Sequence, residues 1–179
     1  MNDLSGSREV TPMTHRQKHH PELPHEEEID LTPSRLSAQK NVVRVFYKDL
    51  WDKADLSLVP TIFHPDFTFR GSLGPVLVGH GQFGNYVTWL TETLEDYTSD
   101  ILELVEEGSR VSGKLRFHGI HRRTLFGEPP TNRRVWWYGA PIFTFDGPLV
   151  RDLWVLGDIH GLRSRLAPAE GNALRFDRG

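Results

Sequence analysis

The chain has 179 residues, of which 37% are hydrophobic and 25% charged, with a net charge of −3 and no cysteine. This length suits one domain plus a tail, and five Trp with ten Phe can build a core that a wholly disordered chain lacks. Without cysteine, disulfides, zinc–thiolate sites, iron–sulfur clusters and thiol catalysis are excluded. The charge balance gives no support for nucleic-acid binding. No apolar run approaches a membrane span and no export pattern is present, so we expect a cytoplasmic protein.

The first 34 residues differ from the rest, because they carry a net charge of −4 and contain no aromatic residue. We predict that residues 1–31 form a flexible acidic tail, since too few side chains can be buried to offset the ordering entropy. The folded domain is predicted over 32–168, and 169–179 are expected to form a frayed C-terminus. Three histidines of the tail could hold a metal ion loosely, but a solvated polar tail explains them more simply. They are His19, His20 and His25.

Apolar residues at helical spacing predict three helices in the first half of the chain. The first is expected over 33–51, with Thr32 as its N-cap. Asp55 is expected to cap a second, short helix. A short strand at 67–70 and a glycine-rich turn follow, and the third helix is expected over 80–95.

After residue 97 the apolar period changes to two, which is the period of a strand. Four antiparallel strands joined by turns are predicted over 101–105, 110–121, 134–145 and 149–156. A last short helix is predicted over 162–166. The chain is therefore predicted to be α+β, with a curved antiparallel sheet that wraps around N-terminal helices covering one face.

Several short motifs, taken in order and spacing, resemble the SnoaL-like polyketide cyclases, which have the cone fold of the nuclear-transport-factor-like proteins. The resemblance covers roughly residues 36–166. The motifs that carry it are VVRVFYKDLW at 42–51, HPDF at 64–67, GPVLVGH at 74–80, GIHRRTLFGEPPTNRR at 119–134 and WVLGDIHGL at 154–162.

The resemblance implies a cone-shaped barrel with a deep apolar pocket, no metal, no organic cofactor and acid–base chemistry on small hydrophobic molecules. One departure stands out. The catalytic Asp of the founding cyclases would fall on Val155, and a pocket His would fall on Pro141. Neither residue can exchange a proton, so the acid–base groups of an active enzyme would have to lie elsewhere. Other proteins with this fold only bind partners, so the fold does not settle the function.

Histidines and one aspartate are the first candidates for acid–base catalysis. Strand parity puts His121 on the core face, whereas His118 is expected to face solvent. A structural hydrogen bond is the alternative explanation for His121. Asp158 and His160 share a face if their strand continues, and an Asp that holds a His tautomer is a common device. The alternative is that Asp158 caps the last helix.

Substrate-binding candidates come from the predicted pocket wall. Arg70 could bind an enolate or carboxylate, or form a surface salt bridge. Tyr86 and Tyr47 could donate a proton to a carbonyl, although most such tyrosines are core residues. An apolar and aromatic wall is expected around them, unless these side chains simply fill the core. Its predicted members are Phe117, Trp137, Phe143 and Val155.

Three functions remain open at this point. The first is a cofactor-independent lyase or isomerase, of the cyclase or dehydratase type, acting on a small polyketide- or terpenoid-like intermediate. The second is an epoxide hydrolase, which favours two carboxylates and an arginine near a water. The third is a non-enzymatic module for ligand binding or dimerisation.

A homodimer through the outer sheet face is predicted from three side chains of opposite parity to Trp137. They are Trp136, Tyr138 and Ile142. A row of exposed large apolar side chains is unfavourable in water unless another surface covers it.

Overall fold

The computed structural model describes residues 22–74 and 76–167. Its helices are α1 (Ala38–Val45), α2 (Val59–Ile62), α3 (Gly79–Thr93) and α4 (Ile159–Leu166). Its strands are β1 (Phe63–Arg70), β2 (Val76–Val78), β3 (Leu94–Glu107), β4 (Arg110–His121), β5 (Arg134–Asp146) and β6 (Leu149–Gly157). The α+β class is confirmed. Within these described residues, no helix is both long and apolar enough to cross a membrane.

All six strands form one sheet in the order β2-β1-β6-β5-β4-β3. Neighbouring strands are antiparallel except β1 and β6, which run parallel. The predicted sheet was wholly antiparallel, because turn signals reveal hairpins but not the pairing of distant strands. β2 was also missed, since its three residues lie at a sheet edge with Val76 and Val78 exposed.

The sheet is interrupted by bulges that bend it around the helices. Two register shifts lie between β3 and β4, one between Glu95 and Thr98 and one between Ile101 and Glu103. A third lies between Thr144 and Phe145 on β5. Because a bulge increases local twist and bends its strand, these shifts curl the sheet, and the helices pack on its concave inner face.

The predicted first helix, over 33–51, is broken near its start. Residues Pro33–Arg35 form one 3₁₀ turn, and the chain is extended at Leu36. The N-cap of α1 is Ser37, whose hydroxyl accepts the backbone N–H of Lys40 at 3.1 Å. Thr32 makes no such side-chain cap.

The second half of that helix is a π-helix, Phe46–Trp51, which continues α1 without a break. Its wider turn shows in the hydrogen bond from the backbone N–H of Asp52 to the carbonyl oxygen of Tyr47. Four of its six side chains are buried: Phe46, Tyr47, Leu50 and Trp51. π-Helical turns occur frequently at functional sites, and this one presents three aromatic rings to the interior.

Residues 22–31 belong to the folded domain, which corrects the predicted tail boundary at 31. The backbone N–H of Ile29 donates to the carbonyl of Ile101 at 3.0 Å, and Leu31 packs against the core. Glu26 pairs with Lys114 at 2.6 Å across 88 residues of sequence. The acidic charge that indicated a tail is therefore complementary to a basic sheet face. The predicted tail residues 1–21 and the predicted frayed terminus lie outside the described residues.

The outer face of the sheet holds a buried charged cluster beneath this N-terminal segment. Arg116 and Asp100 pair at 2.7 Å, and each is 4% exposed. His118, predicted to face solvent, is 3% exposed, and its Nε2 lies 3.3 Å from Asp100. Arg134 donates to His118 Nδ1 at 2.8 Å, which leaves the hydrogen on Nε2. The outward direction of His118 was predicted correctly from strand parity, but its burial under the N-terminal segment was not predicted.

Candidate active site

A small, partly open cavity of about 30 Å³ lies between the concave face of the sheet and the helices. Eight aromatic side chains line it, drawn from the π-helix, α3 and four strands. They are Phe46, Tyr47, Trp51, Phe69, Tyr86, Tyr97, Phe117 and Trp137. Five further residues complete the lining: Gly71, Ser72, Leu73, Leu90 and Val155. The aromatic residues therefore fill the core and still leave a cavity.

Trp51 connects the two halves of this aromatic lining. Its ring centroid lies 5.3 Å from that of Tyr97 and 6.0 Å from that of Tyr86. On the sheet side, Phe117 and Trp137 are 5.4 Å apart. Gly139 makes this pair possible, because a Cβ there would come within 2.3 Å of the Phe117 ring. Tilted contacts of this kind hold the rings in fixed orientations and shape the cavity.

The polar side-chain groups of the lining are hydroxyls and the indole N–H groups of Trp51 and Trp137. Tyr47 is 2% exposed, and its hydroxyl has no hydrogen-bond partner among the described residues. Burial raises the pKa of Tyr47, Tyr86 and Tyr97 above the usual range of tyrosine. A negative charge on Tyr86 would oppose one on Tyr97, which raises the pKa of Tyr97 further. All three are therefore neutral hydrogen-bond donors near pH 7.

The loop after β1 covers part of the cavity. Trp137 Nε1 donates to Ser72 Oγ at 3.2 Å, which fastens the loop to β5. A Cβ on Gly71 would lie 3.0 Å from the Tyr86 hydroxyl, and one on Gly157 would lie 2.3 Å from Ser72 Cβ. Glycine at these two positions therefore lets the loop approach both the helix and the sheet.

The structure places four predicted binding residues on the cavity lining. They are Tyr86, Phe117, Trp137 and Val155. Phe143 lies behind it, fully buried, with its ring centroid 5.4 Å from that of Phe46. Arg70 faces outward instead, because its neighbour Phe69 takes the inward position on β1. The Arg70 guanidinium lies over the Trp154 ring at 5.4 Å and donates to the carbonyl of Val155. The predicted anion-binding role of Arg70 in the cavity is therefore not supported by its position.

His121 is fully buried on the inner face, as its parity indicated, but it does not line the cavity. Its Nδ1 accepts the backbone N–H of Thr131 at 3.2 Å, and its Nε2 has no partner among the described residues. The backbone of His121 also bonds Asn132 and Arg133, so the residue holds the loop that precedes β5. Burial lowers the pKa of its imidazole, which favours the neutral form. These contacts match the structural alternative.

Asp158 and His160 are exposed at the start of α4, away from the cavity lining. Asp158 is the N-cap of α4 and accepts the backbone N–H of Gly161 at 2.9 Å. Its second oxygen lies 3.7 Å from Arg165. The helix begins one residue after Asp158, so the strand parity that would pair Asp158 with His160 ends before it reaches them. Here too the geometry matches the capping alternative.

Trp51 and Tyr97 line the cavity but were not among the predicted site residues. The π-helix changes which side chains face inward after Phe46, and a bulge changes the parity of β3 next to Tyr97. A pattern based on regular helices and strands cannot detect either shift. The aromatic character of both residues was the available signal.

The sequence profile of the SnoaL-like polyketide cyclase family matches residues 41–166, which is most of the described domain. This chain belongs to the SnoaL-like polyketide cyclase family. The resemblance carried by the sequence motifs is confirmed. None of the curated proteins compared with this SnoaL-like chain matches it.

Solved structures share the fold of this family member. TsrD from Streptomyces laurentii superposes with a TM-score of 0.66 at 21% identity, covering 74% of this chain and 98% of that one. A polyketide cyclase candidate from Acidithiobacillus ferrooxidans gives 0.65 at 22% identity, covering 74% and 96%. A ketosteroid isomerase-like protein from Catenulispora acidiphila, in complex with trimethylamine, gives 0.59 at 15% identity, covering 74% and 97%. Identities this low show a shared fold and leave the reaction open.

Proposed function

We propose that this SnoaL-like protein is a cofactor-independent cyclase or isomerase whose substrate is a small hydrophobic, carbonyl-bearing intermediate of polyketide or terpenoid type. The observation that carries the proposal is the Tyr47 hydroxyl, which is buried without a partner among the described residues in a cavity lined mainly by aromatic rings. A buried donor without an acceptor is costly, and a ligand carbonyl would satisfy it.

A hydrogen bond from a neutral tyrosine activates a carbonyl toward enolisation or ring closure, because negative charge grows on the oxygen as the α-proton leaves. No carboxylate or imidazole lies on the lining formed by the described residues, so solvent water at the open side of the cavity takes that proton. The raised pKa of Tyr47 keeps its proton in place over the working pH range. Tyr86 and Tyr97 bring further hydroxyls to the same cavity. The rings around them lower the local polarity, which strengthens such a hydrogen bond.

The hydrolase hypothesis loses support, because no carboxylate lies on the lining formed by the described residues. The lining formed by the described residues therefore lacks the two carboxylates that the hydrolase hypothesis favours. The same observation favours a second candidate, a module that binds its ligand without converting it. The enzyme would exchange protons of its ligand with solvent, whereas the binding module would not.

The first experiment measures binding of two matched probes, 2-acetylnaphthalene and 2-ethylnaphthalene, by quenching of tryptophan fluorescence. The ketone is expected to bind about 2–10-fold more tightly than the hydrocarbon, as one net hydrogen bond provides. Tyr47→Phe should remove this preference, and Tyr138→Phe on the outer face should keep it. Equal binding of both probes to the wild type would refute the proposed role of Tyr47.

Deuterium exchange then separates an enzyme from a binding module. Enolisation of 2-acetylnaphthalene in D₂O replaces the acetyl protons with deuterium, which proton NMR detects directly. An acid–base enzyme of this class should accelerate the exchange, and Tyr47→Phe should reduce that acceleration. Tight binding without acceleration of exchange would establish the binding module instead.

We also infer that two copies of the chain associate through the outer face of β5 and β6. Ile142 and Trp154 are direct partners in the sheet register, and they are 39% and 36% exposed. Leu156 is 56% exposed and pairs with Ala140 beside them. This apolar patch replaces the one predicted around Trp136 and Tyr138. The Trp136 ring is covered by Arg165, and the Tyr138 hydroxyl bonds Glu26.

A further inference from the structure

Asp52 lies next to Trp51, which connects the two halves of the aromatic lining. It directly follows Trp51 at the end of the π-helix, and its side chain is 15% exposed. Its Oδ1 accepts the backbone N–H of Ser99 on β3 at 2.8 Å. Ser99 is two residues beyond Tyr97, so this hydrogen bond ties the strand that carries Tyr97 to the helix that carries Tyr47 and Trp51.

Lys48 completes this connection. Its Nζ lies 2.7 Å from Asp52 Oδ2 and donates to the carbonyl of Ser99 at 2.8 Å. Both backbone groups of Ser99 at the free edge of β3 are therefore held by one ion pair. Glu28 of the N-terminal segment also reaches Lys48, at 3.1 Å, and accepts the backbone N–H of Ile101 at 2.9 Å.

The charged form of Asp52 is unfavourable for the fold. Burial raises the pKa of its carboxyl to about 6, although Lys48 and the Ser99 hydrogen bond pull it down. The charged groups facing it are Lys48 on its own helix and Glu28 from the N-terminal segment, and Tyr97 is the titratable group on β3. A carboxylate kept ionised at a cost in stability, beside a cavity, indicates a functional requirement.

We propose that Asp52 is a positioning residue, whose ionised carboxylate fixes β3 against the π-helix and thereby sets the hydroxyl of Tyr97 relative to that of Tyr47. It acts through Ser99 and Lys48 and does not touch the ligand. Protonation breaks the ion pair between Asp52 and Lys48 and weakens the bond from Ser99 to Asp52, so the tyrosine hydroxyls lose their mutual placement below about pH 6. The ligand in this inference is taken from the proposed function. The predicted effect of Asp52 on Ser99 does not depend on that function.

The test compares the wild type with Asp52→Asn, which preserves shape and removes the charge. Asp49→Asn is the matched control, because Asp49 lies on the same helix and, within the described part of the chain, forms its ion pairs with Arg44 and Lys53. Affinity for 2-acetylnaphthalene is measured between pH 5 and pH 8. In the wild type and in Asp49→Asn it should fall several-fold below about pH 6. In Asp52→Asn it should be weakened at every pH without that transition, while thermal stability at pH 7.5 is kept or increased.

Amide hydrogen exchange at Ser99 gives a readout that needs no ligand. After correction for intrinsic exchange, protection of the Ser99 amide should fall below about pH 6 in the wild type and stay at a constant lower level in Asp52→Asn. A wild-type pH profile in Asp52→Asn, or Ser99 protection that is independent of pH in the wild type, would overturn the inference. If protection of the Ser99 amide responds to pH as expected but the wild type binds the ketone and the hydrocarbon equally, the proposed function fails and the positioning role of Asp52 stands.

Discussion

At the scale of single residues, the two faces of the sheet carry different kinds of polar groups. The concave face offers neutral hydroxyls to a cavity, whereas the convex face buries a compensated charged cluster. Asp100 shows the second case. Burial opposes its ionisation, but His118 and Arg116 outweigh that effect, and the pKa of Asp100 is lowered. Its charge is needed by the fold, whereas the charge of Asp52 is not.

Asp100→Asn should therefore destabilise the protein strongly. Removing the acid breaks the 2.7 Å pair of Arg116, which is 4% exposed, and leaves it with the more distant Glu26 carboxylate at 3.9 Å. Breaking a comparable buried pair costs about 3 kcal/mol. Urea denaturation at pH 7 measures the change in the free energy of unfolding. Asp146→Asn, at the exposed end of β5, is the control and should change stability by less than about 0.5 kcal/mol. A loss of similar size in both variants would contradict this role of Asp100.

The two aspartates should also give opposite pH dependences of stability. A lowered pKa means that Asp100 stabilises the fold above its ordinary value of 3.8, and that this contribution is lost as the pH falls. The pKa of Asp52, raised from 3.8 to about 6, means that its contribution is lost as the pH rises through that interval. Thermal unfolding from pH 4 to pH 7 should therefore show wild-type stability falling relative to Asp52→Asn. Parallel curves for the two proteins would contradict it.

At the scale of elements, the N-terminal segment and the π-helix contribute more than their length indicates. Residues 22–31 cover the charged cluster through Glu26 and bond the edge of β3 through Glu28 and Ile29. The π-helix turns three aromatic side chains into the cavity within six residues. Neither element has the periodicity of a regular helix or strand. The conformation of both therefore depends on contacts with residues distant in sequence.

Deletion of residues 1–31 should lower the melting temperature by about 5 °C or more. It removes the partly buried Ile29 and Leu31 together with the ion pairs of Glu26 and Glu28, roughly 2 kcal/mol in total. Deletion of residues 1–21 should leave the melting temperature within a few degrees of the wild type, as their composition predicts. Differential scanning calorimetry compares the two truncations. Equal melting temperatures would show that residues 22–31 contribute little.

At the scale of the whole molecule, the outer sheet face is divided into a covered half and an exposed half. The N-terminal segment and α4 cover the β3–β4 side and the start of β5. The patch formed by Ile142, Trp154 and Leu156 is left open to solvent. An apolar patch on the convex face cannot serve the cavity, so a second copy of the chain is its proposed partner.

Trp154→Glu should convert the proposed dimer to a monomer. A carboxylate at the centre of an apolar interface would be desolvated without a partner, which opposes association. Light scattering at micromolar concentration measures the mass of the wild type and the variant. Val105→Glu is the control, because Val105 is 63% exposed on β3 outside the patch. A monomeric wild type, or a dimeric Trp154→Glu, would contradict the assignment.

Local regularity explains which parts of the fold could be predicted from the sequence. β4 was predicted at its observed bounds, 110–121, because inward and outward residues alternate without interruption along it. The N-cap Ser37, the parallel pairing of β1 with β6 and the three-residue β2 were missed. The N-cap depends on one hydrogen bond, the parallel pairing depends on a strand far away in the chain, and β2 is too short to show a period.

The sequence by itself determined the fold class, the family and the inward parity of Phe117 and Trp137, since these follow from side-chain periodicity and from motif order. Only the tertiary structure decided which polar groups meet in the cavity. The π-helix selected Tyr47 and Trp51, a bulge brought in Tyr97, and the early start of α4 turned Asp158 into a helix cap. A shift of one residue reverses the direction of a side chain, and such shifts are set by packing between elements rather than by local sequence.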